Sequence, residues 1–301
     1  MFDFVTPLKG SLATLAFFDI FDRPLSLDEL QKWSLGEKFS LEDLKQKISG
    51  FSESDGDFVF LKGRKEIVAS YLAQEKLRQK FDQRVAKFVP LLRFIPFVRM
   101  VAVCNSVALG TVDQRSDIDL FIVTEKDRIF LSRVLATLFF HVLGIRRHGA
   151  KIVGRFCLSF YVSESAMNLK PLLLDPYDIY FAYWFLTLQP MVGGDLFEHF
   201  FAENDWIDQY FLEVETRKNV LPQRVNWLQS VFELFLKGKF GDWIESKLAK
   251  FFIARHQQRK TTLSDQSSVV VSSQLLKFHN IDRREDFRVK FENRLKELGF
   301  V

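Results

Sequence analysis

The sequence predicts an α+β protein, with a mixed sheet and flanking helices between an N-terminal helical module and a C-terminal helical region. Three segments predict the strands. Residues 117–123 alternate polar and apolar side chains with a period of two, and residues 98–104 and 151–163 are apolar runs rich in strand-forming residues. Residues 127–144 have apolar side chains at helical spacing. We therefore expect a strand–turn–strand–helix–strand order at the centre of the chain.

The length of 301 residues suits two or three structural units. We divide the chain into an N-terminal module (residues 1–65), a sheet domain (66–170, with a lead-in helix at 66–97) and a helical C-terminal region (171–301). Hydrophobic residues make up 48% and charged residues 27%, which argues against global disorder. Most of the 34 Phe side chains are expected to fill the core.

The charge balance permits a polyanionic partner without requiring one, because 42 basic residues face 38 acidic ones. The sequence has no concentrated basic stripe, which weakens the case for a long nucleic acid but leaves nucleic acid possible. Two cysteines, Cys104 and Cys157, are too few for a disulfide framework or a cysteine-based zinc site. We see no signal peptide and no span of ~20 apolar residues, so we expect a cytoplasmic protein that does not cross a membrane.

Residues 1–65 predict three short helices followed by a β-hairpin. A first helix covers residues 11–21, and the pairs Ser26/Glu29 and Ser40/Asp43 have the spacing of capping boxes that open the next two. This order resembles a winged helix. Two interpretations stay open: DNA binding through Lys45, Lys47, Lys62 and Arg64, or a scaffold or protein-contact module. The third helix has little net positive charge for contacts with DNA phosphates, because the charges of Glu42 and Asp43 offset those of its two lysines.

In the C-terminal region, helices are predicted at residues 178–187, 196–201, 206–215, 225–237, 242–259 and 284–298, with a strand-like segment at 269–271. Residues 277–284 form a polar, basic cluster that contains His279. That histidine either contacts a substrate or belongs to a salt-bridge cluster at the start of the last helix.

Residues 104–124 contain the side chains that indicate a chemical function. Asp117 and Asp119 are two positions apart on a predicted strand, so their carboxylates project from the same face. Two adjacent carboxylates repel each other unless a cation neutralises them, as in a divalent-metal site. A turn at Gly110-Thr111 precedes the strand, and Ser106 precedes the turn. Backbone N–H groups and hydroxyls of this kind suit phosphates, so the segment fits a metal-bound nucleoside triphosphate.

This pattern resembles the polymerase-beta superfamily of minimal nucleotidyltransferases, whose members carry Gly-Ser, a nearby Ala and Gly-Thr, and then Ser-Asp-x-Asp-Leu. The matching residues are Ser106, Ala108, Gly110, Thr111, Ser116, Asp117, Asp119 and Leu120. The resemblance implies that Asp117 and Asp119 are catalytic and bind Mg²⁺ or Mn²⁺, and that Asn105, Ser106, Gly110, Thr111 and Ser116 bind the nucleotide. Lys151 and Arg155 flank the third strand, where they either contact the triphosphate or lie at a solvated strand end.

Three departures from the family pattern bear on activity. Asn105 replaces the glycine before the serine, Leu109 replaces a frequent arginine, and the third strand has no carboxylate where family members usually carry one. Loss of a general base typically costs ~10²–10⁴-fold in rate. The leading prediction is a Mg²⁺-dependent nucleotidyltransferase that moves a nucleoside monophosphate from an NTP to a hydroxyl of an RNA end, a protein or a small molecule. The alternatives are a catalytically impaired nucleotide- or protein-binding module and a winged-helix DNA-binding regulator.

Overall fold

A computed structural model describes residues 7–36, 40–212, 227–260, 268–278 and 282–300. They form an α+β structure with a mixed six-stranded sheet, flanking helices and a second, three-stranded sheet. The predicted fold class is thus confirmed at the level of a mixed sheet with flanking helices. Within these residues, no helix is both long enough and apolar enough to cross a membrane.

The N-terminal part contains three helices and the small sheet. Ser26 accepts a hydrogen bond from the Glu29 N–H, and the Glu29 carboxylate accepts one from the Ser26 N–H, both at 3.1 Å, which confirms the predicted capping box. Ser40 caps the third helix through the Asp43 N–H at 3.2 Å. The elements are α1 (Pro7–Asp19), β1 (Leu25–Ser26), α2 (Leu27–Trp33), α3 (Leu41–Ile48), β2 (Ser52–Asp55) and β3 (Phe58–Leu61), with antiparallel sheet order β1-β3-β2.

The lead-in segment is two helices, α4 (Glu66–Ala73) and α5 (Glu75–Phe88), where the sequence predicts one. The break lies at Gln74, whose N–H bonds to the Tyr71 carbonyl instead of continuing the helical ladder. Arg78 donates a 2.7 Å hydrogen bond to the same carbonyl and stacks over the Tyr71 ring. This arginine therefore satisfies the end of α4 and fixes the angle between the two helices.

The central elements are β4 (Val98–Cys104), α6 (Asn105–Leu109), β5 (Ile118–Thr124), α7 (Ile129–Val142) and β6 (Phe156–Ser163). The predicted strand 151–163 was wrong over its first five residues, because Gly154 adopts φ 61° and turns the chain just before β6. The predicted alternation in β5 is confirmed. Ile118, Leu120 and Ile122 belong to one hydrophobic cluster, and Phe121 and Val123 belong to the other.

The large sheet has the order β7-β4-β5-β6-β9-β8, completed by β7 (Gln189–Val192), β8 (Val270–Val271) and β9 (Leu275–Lys277). Strand β5 is antiparallel to β4 and parallel to β6, so the pair that bears the predicted site lies in the interior of the sheet. The predicted strand-like segment at 269–271 is confirmed over its last two residues, which form β8. Strands β7 and β9 are not predicted by the sequence.

The C-terminal helices are α8 (Ile179–Leu186), α9 (Gly194–Ala202), α10 (Trp227–Leu236), α11 (Lys239–Lys260) and α12 (Arg284–Glu297). The predicted helix at 206–215 is a short 3-10 turn over Asp205–Gln209, and residues 213–215 lie outside the described part. The prediction for residues 225–226 and for His279 also falls outside it.

The sheet separates two hydrophobic clusters. One face packs on α5, α7 and α11 through residues such as Val85, Phe130 and Phe140. The other face packs on α8 and α9, and its cluster extends without interruption into α1, β3 and α12. Phe17 in α1 stacks on Tyr183 in α8 with ring centroids 4.2 Å apart. Buried side chains from all three predicted segments therefore share one core.

Candidate functional site

Asp117 and Asp119 lie at the start of β5, where the sheet places chemistry-bearing side chains close together. Asp119 pairs in register with Cys104 on β4 and with Cys157 on β6. The Asp119 residue is only 8% exposed, whereas Asp117 precedes the strand and is half-buried. Asp117, Asp119 and Cys157 each offer one ligand atom, and these atoms all lie within 4.8 Å of one another. This cluster can hold a metal ion.

Burial and like charge act together on the Asp119 carboxyl. Burial raises its pKa to about 6, and the neighbouring Asp117 charge contributes to the increase. Hydrogen bonds from Asn105 and Cys157 and the positive charge of Arg147 oppose it. Burial and the Asp117 charge disfavour the ionised form of Asp119, and a nearby cation would stabilise that form. The local electrostatics therefore favour cation binding at the acid pair.

Arg147 is the cation closest to the acid pair, and sequence reasoning missed it. Its Nη1 atom donates a 2.6 Å hydrogen bond to Asp117 Oδ2 and lies 3.8 Å from Cys157 Sγ. The main chain of Arg147 is fixed because its N–H bonds to the Phe156 carbonyl at 2.9 Å. Thirty residues separate Arg147 from Asp117 along the chain, so no local spacing could have indicated the contact.

Cys157 lies where a third acid would complete the set. Among the described residues, the cluster of potential metal ligands contains two carboxylates and this thiol, and no third carboxylate joins it. Burial raises the pKa of the Cys157 thiol, and the charges of Asp119 and Asp117 add to that increase. Strand β6 therefore contributes the Cys157 thiol to the cluster, and this thiol remains protonated at neutral pH.

Asn105, the residue before Ser106, adopts a left-handed backbone conformation, with φ 55°. Asparagine tolerates this region better than most residues, so it can hold this backbone shape. The Asn105 side chain donates to Asp119, which orients the buried carboxylate. Gly110 adopts φ 69°, and a Cβ atom there would approach the Arg23 guanidinium to 3.0 Å.

A cavity of about 360 Å³ opens beside the acid pair, a size suited to a small ligand. Four predicted site residues line it: Asn105, Ser106, Thr111 and Asp119. The aromatic rings of Phe21, Tyr180 and Phe287 form an apolar part of its wall, and Lys277, Arg283 and Arg284 supply positive charge. The cavity therefore combines hydroxyl, aromatic and basic groups beside a cluster that can hold a metal.

The basic part of the wall is held by a buried ion-pair network that the sequence indicated only as a salt-bridge cluster at a helix start. Arg284 contacts Asp178 and Asp282, each at 2.7 Å, and Lys277 Nζ lies 3.7 Å from Asp282. Burial lowers the pKa of Lys277 to about 8, and the charge of Arg284 contributes. The network ties β9 and α12 to α8 and positions the cations toward the cavity.

The remaining predicted residues lie elsewhere. Ser116 donates to the Asp113 carboxylate and accepts from the Asp113 N–H at 2.9 Å, so it stabilises the turn before β5. Gly110 borders a separate hollow beside Arg23. Arg155 donates to the Gly144 carbonyl and lines a third hollow, on the side of α5. Lys151 lies in the turn before β6 and lines none of these cavities.

Comparisons with family models, curated proteins and solved structures found no match to this chain.

Proposed function

We propose that the protein is a nucleotidyltransferase of the polymerase-beta type, which transfers a nucleoside monophosphate from an NTP to a hydroxyl in a Mg²⁺- or Mn²⁺-dependent reaction. The observation that carries this proposal is the position of Asp119, which belongs to the cluster of Asp117, Asp119 and Cys157 and also lines the cavity with Ser106 and Thr111. One site thus offers oxygen ligands for a metal and hydroxyls for phosphates.

The residues fit a hard divalent cation in part. Carboxylate oxygens are ligands that Mg²⁺ prefers, and Mg²⁺ usually keeps several waters beside one or two carboxylates, so Asp117 and Asp119 suffice to hold it. The protonated Cys157 thiol is a poor partner for Mg²⁺. A bound Mg²⁺ would supply charge neutralisation to the triphosphate and to the attacking oxygen.

The other side chains of the cavity have distinct roles in the proposed complex. Ser106 and Thr111 would donate hydroxyl hydrogen bonds to phosphate oxygens. Arg283, which makes no ion pair within the described residues, would offset part of the charge of the triphosphate, and the Tyr180 and Phe287 rings would pack against the base. In the reaction, the acceptor oxygen bonds to the α-phosphorus, the bond from that phosphorus to pyrophosphate breaks, and the hydroxyl proton leaves to solvent.

A second candidate is a nucleotide-binding module with impaired catalysis. Two observations favour it: the thiol of Cys157 in the place of a third carboxylate, and the ion pair of Arg147 with Asp117. Neither prevents a nucleotide from entering the cavity. This candidate therefore predicts Mg²⁺-dependent NTP binding without transfer.

We also infer that residues 1–65 form a winged-helix-like module with a scaffold role. Arg64, one of the predicted DNA contacts, pairs with Asp19 at 2.8 Å and Glu66 at 2.9 Å and also contacts Asp22. Its charge is thus compensated within the protein. The competing DNA-binding role predicts duplex retention at low salt that is lost in Lys45→Gln/Lys62→Gln. Binding of a DNA duplex by wild type that disappears in this double variant would overturn the scaffold assignment.

The decisive experiment incubates the protein with each labelled NTP, Mg²⁺ or Mn²⁺, and separate pools of RNA, protein and small hydroxyl compounds. Transfer by wild type that disappears in Asp117→Asn/Asp119→Asn, but persists in the exposed control Glu198→Gln, supports the enzyme. A parallel titration with a fluorescent ATP analogue separates the two candidates. Binding that needs Asp117 and Asp119, without transfer to any pool, identifies the impaired module. Transfer that survives the double substitution refutes the assignment of those two residues.

A further inference from the structure

Two cationic hollows border consecutive parts of one chain segment, residues 144–149, and the second hollow is also lined by Cys157. The first hollow contains the cations Lys80, Arg84 and Arg155. The second contains Arg133, Arg146, Arg147 and Arg283, with His148 at its edge. We call these seven Lys and Arg residues the basic groove. Among the described residues that line it, none is an Asp or a Glu.

The charge of the basic groove is largely uncompensated. Within the described part of the chain, only Arg147 of the seven takes part in an ion pair, the one with Asp117. Arg84 donates to the Gly154 carbonyl at 2.8 Å, and Arg155 donates to the Gly144 carbonyl, so both are positioned by neutral groups. Concentrated positive charge without carboxylate partners is typical of surfaces that bind polyanions.

Arg133 is the most constrained cation of the basic groove. It lies between the rings of Phe252 and Phe278, 4.7 Å and 4.1 Å from their centroids, and its Nε atom is buried without a hydrogen-bond partner among the described residues. Burial lowers the pKa of this guanidinium, and the charge of Arg146 adds to the effect. The Phe278 ring also lines the groove. Aromatic rings beside cations are the combination that binds single-stranded nucleic acids.

The basic groove and the cavity that contains Asp119 both border the acid pair, and Arg283 lines both of them. The cavity contains Ser106, Thr111 and Asp119, whereas the groove contains Arg147, in contact with Asp117, and Cys157, in contact with Asp119. In nucleotidyl transfer the attacking and leaving oxygens lie on opposite sides of the phosphorus. With the triphosphate in the cavity, the acceptor hydroxyl approaches from the groove.

We propose that the basic groove binds a single-stranded nucleic acid whose terminal hydroxyl is the acceptor. This inference rests on the proposed function for the role of that hydroxyl, while binding itself does not require catalysis. A polymer is favoured over a single phosphorylated molecule because the cations are distributed over two hollows, which offers contacts to successive phosphates. The sequence has no concentrated basic stripe, because the groove is assembled from α5, α7, the 144–155 segment and the start of α12.

The test is the binding of labelled single-stranded RNA and DNA oligonucleotides of four and twelve residues, measured by fluorescence anisotropy between 50 and 200 mM salt. Three to four phosphate contacts predict a log–log salt slope of about −2 to −3 and an affinity loss of about 15-fold to 60-fold over that range. In Lys80→Gln/Arg146→Gln/Arg155→Gln the slope should approach zero, since each contact contributes about −0.7. The matched control is Lys239→Gln/Lys250→Gln/Lys296→Gln, which removes the same number of charges from exposed lysines outside the groove.

Three results would overturn the inference: no binding of the twelve-residue strands at 50 mM salt, equal weakening by the control, or equal competition by inorganic phosphate and the twelve-residue strand at matched phosphate concentration. The last would identify a single-phosphate site. Denaturation curves of both variants verify the fold. ATP-analogue titration in the same preparations separates the two hypotheses. If wild type binds the analogue but no oligonucleotide, only the nucleic-acid inference is refuted. If wild type binds neither, the proposed function is refuted as well.

Discussion

The Arg147 guanidinium lies 2.6 Å from the Asp117 carboxylate and therefore places a fixed positive charge on the acid pair. Asp119 is buried beside them, and the charge of Asp117 raises its pKa while the charge of Arg147 lowers it. The position of Arg147 makes it a competitor of any cation that approaches Asp117, because two positive charges at the same carboxylate repel each other.

Arg147→Gln should tighten divalent-cation binding. Removal of a unit charge a few ångströms from the site is expected to strengthen Mn²⁺ binding by about tenfold, a change of ~1.4 kcal/mol. Titration of free Mn²⁺ by electron paramagnetic resonance measures the effect. Arg146→Gln is the matched control, because its side chain makes no ion pair within the described residues. Weaker Mn²⁺ binding in Arg147→Gln would show that the guanidinium supports the site instead of competing for it.

Cys157→Asp should convert the cluster into a set of three carboxylates. Cys157 is opposite Asp119 in the parallel β5–β6 pair, so an aspartate there can reach the same metal. We expect stronger Mg²⁺ binding and transfer activity raised by at least about tenfold, since a general base contributes ~10²–10⁴-fold.

Cys157→Ser is the control for this substitution, because it removes the thiol without adding charge. It should leave transfer close to that of wild type. A folded Cys157→Asp variant that binds more Mg²⁺ but transfers no faster would mean that the third carboxylate is not what limits the reaction.

The buried pair of Arg99 and Glu233 should make stability depend on pH. Burial opposes ionisation of Glu233, but hydrogen bonds from Arg99 and from the Phe97 N–H, both at 2.7 Å, outweigh it, and the pKa of this carboxyl lies below its ordinary value. A lowered folded-state pKa gives stability that is present above the unfolded pKa of about 4.3 and is lost as the pH falls through the folded value.

Glu233→Gln should therefore lose about 3 kcal/mol of unfolding free energy at pH 7, because the half-buried Arg99 loses one of its two carboxylate partners and keeps only Glu125. The deficit should shrink below pH 4. Urea denaturation at pH 7, 5, 4 and 3 measures it, with the exposed Glu42→Gln as control. A deficit that is constant across this range would assign the loss to packing alone.

Phe17→Ala should destabilise the N-terminal module and the sheet domain together. Phe17 is fully buried and stacks on Tyr183, whose hydroxyl donates to Thr14 at 2.8 Å. Loss of the ring should cost about 3–5 kcal/mol. Calorimetry should show one transition that shifts as a whole, while the exposed Leu72→Ala changes little. Two separable transitions, of which only one moves, would mean that the module folds on its own.

The sequence was most informative where structure is local. The alternation that separates Asp119 and Phe121 from Ile118 and Leu120 is the alternation observed in β5, and the Ser26/Glu29 capping box opens α2 as predicted. Local signals failed for β7 and β9. The first is an edge strand that contains Pro190, the second has three residues, and both exist only because distant strands pair with them.

The acid pair and the hydroxyls could be predicted because they lie within one short segment, whereas the rest of the site could not. Arg147, Lys277 and Arg284 reach the acids and the cavity from a loop, from β9 and from a late helix, so their positions depend on the complete sheet. The apolar residues Ile152 and Val153 suggested a strand, but the chain turns at Gly154, and Arg155 contacts the Gly144 carbonyl and not the acids. The sequence showed only that the third strand lacks an acid. It did not indicate the contact of Cys157 with Asp119, because that contact depends on the parallel register of β5 and β6.

Strand β5 has hydrogen-bonded neighbours on both sides, so its sequence is constrained by pairing with β4 and β6. The acids are fixed by interior backbone, while the 144–155 segment that borders the basic groove is a surface turn. Loops of this kind accept insertions and new sequences far more readily than interior strands do. Under the proposed transferase function, replacement of that segment is therefore the natural route by which directed evolution would change the acceptor.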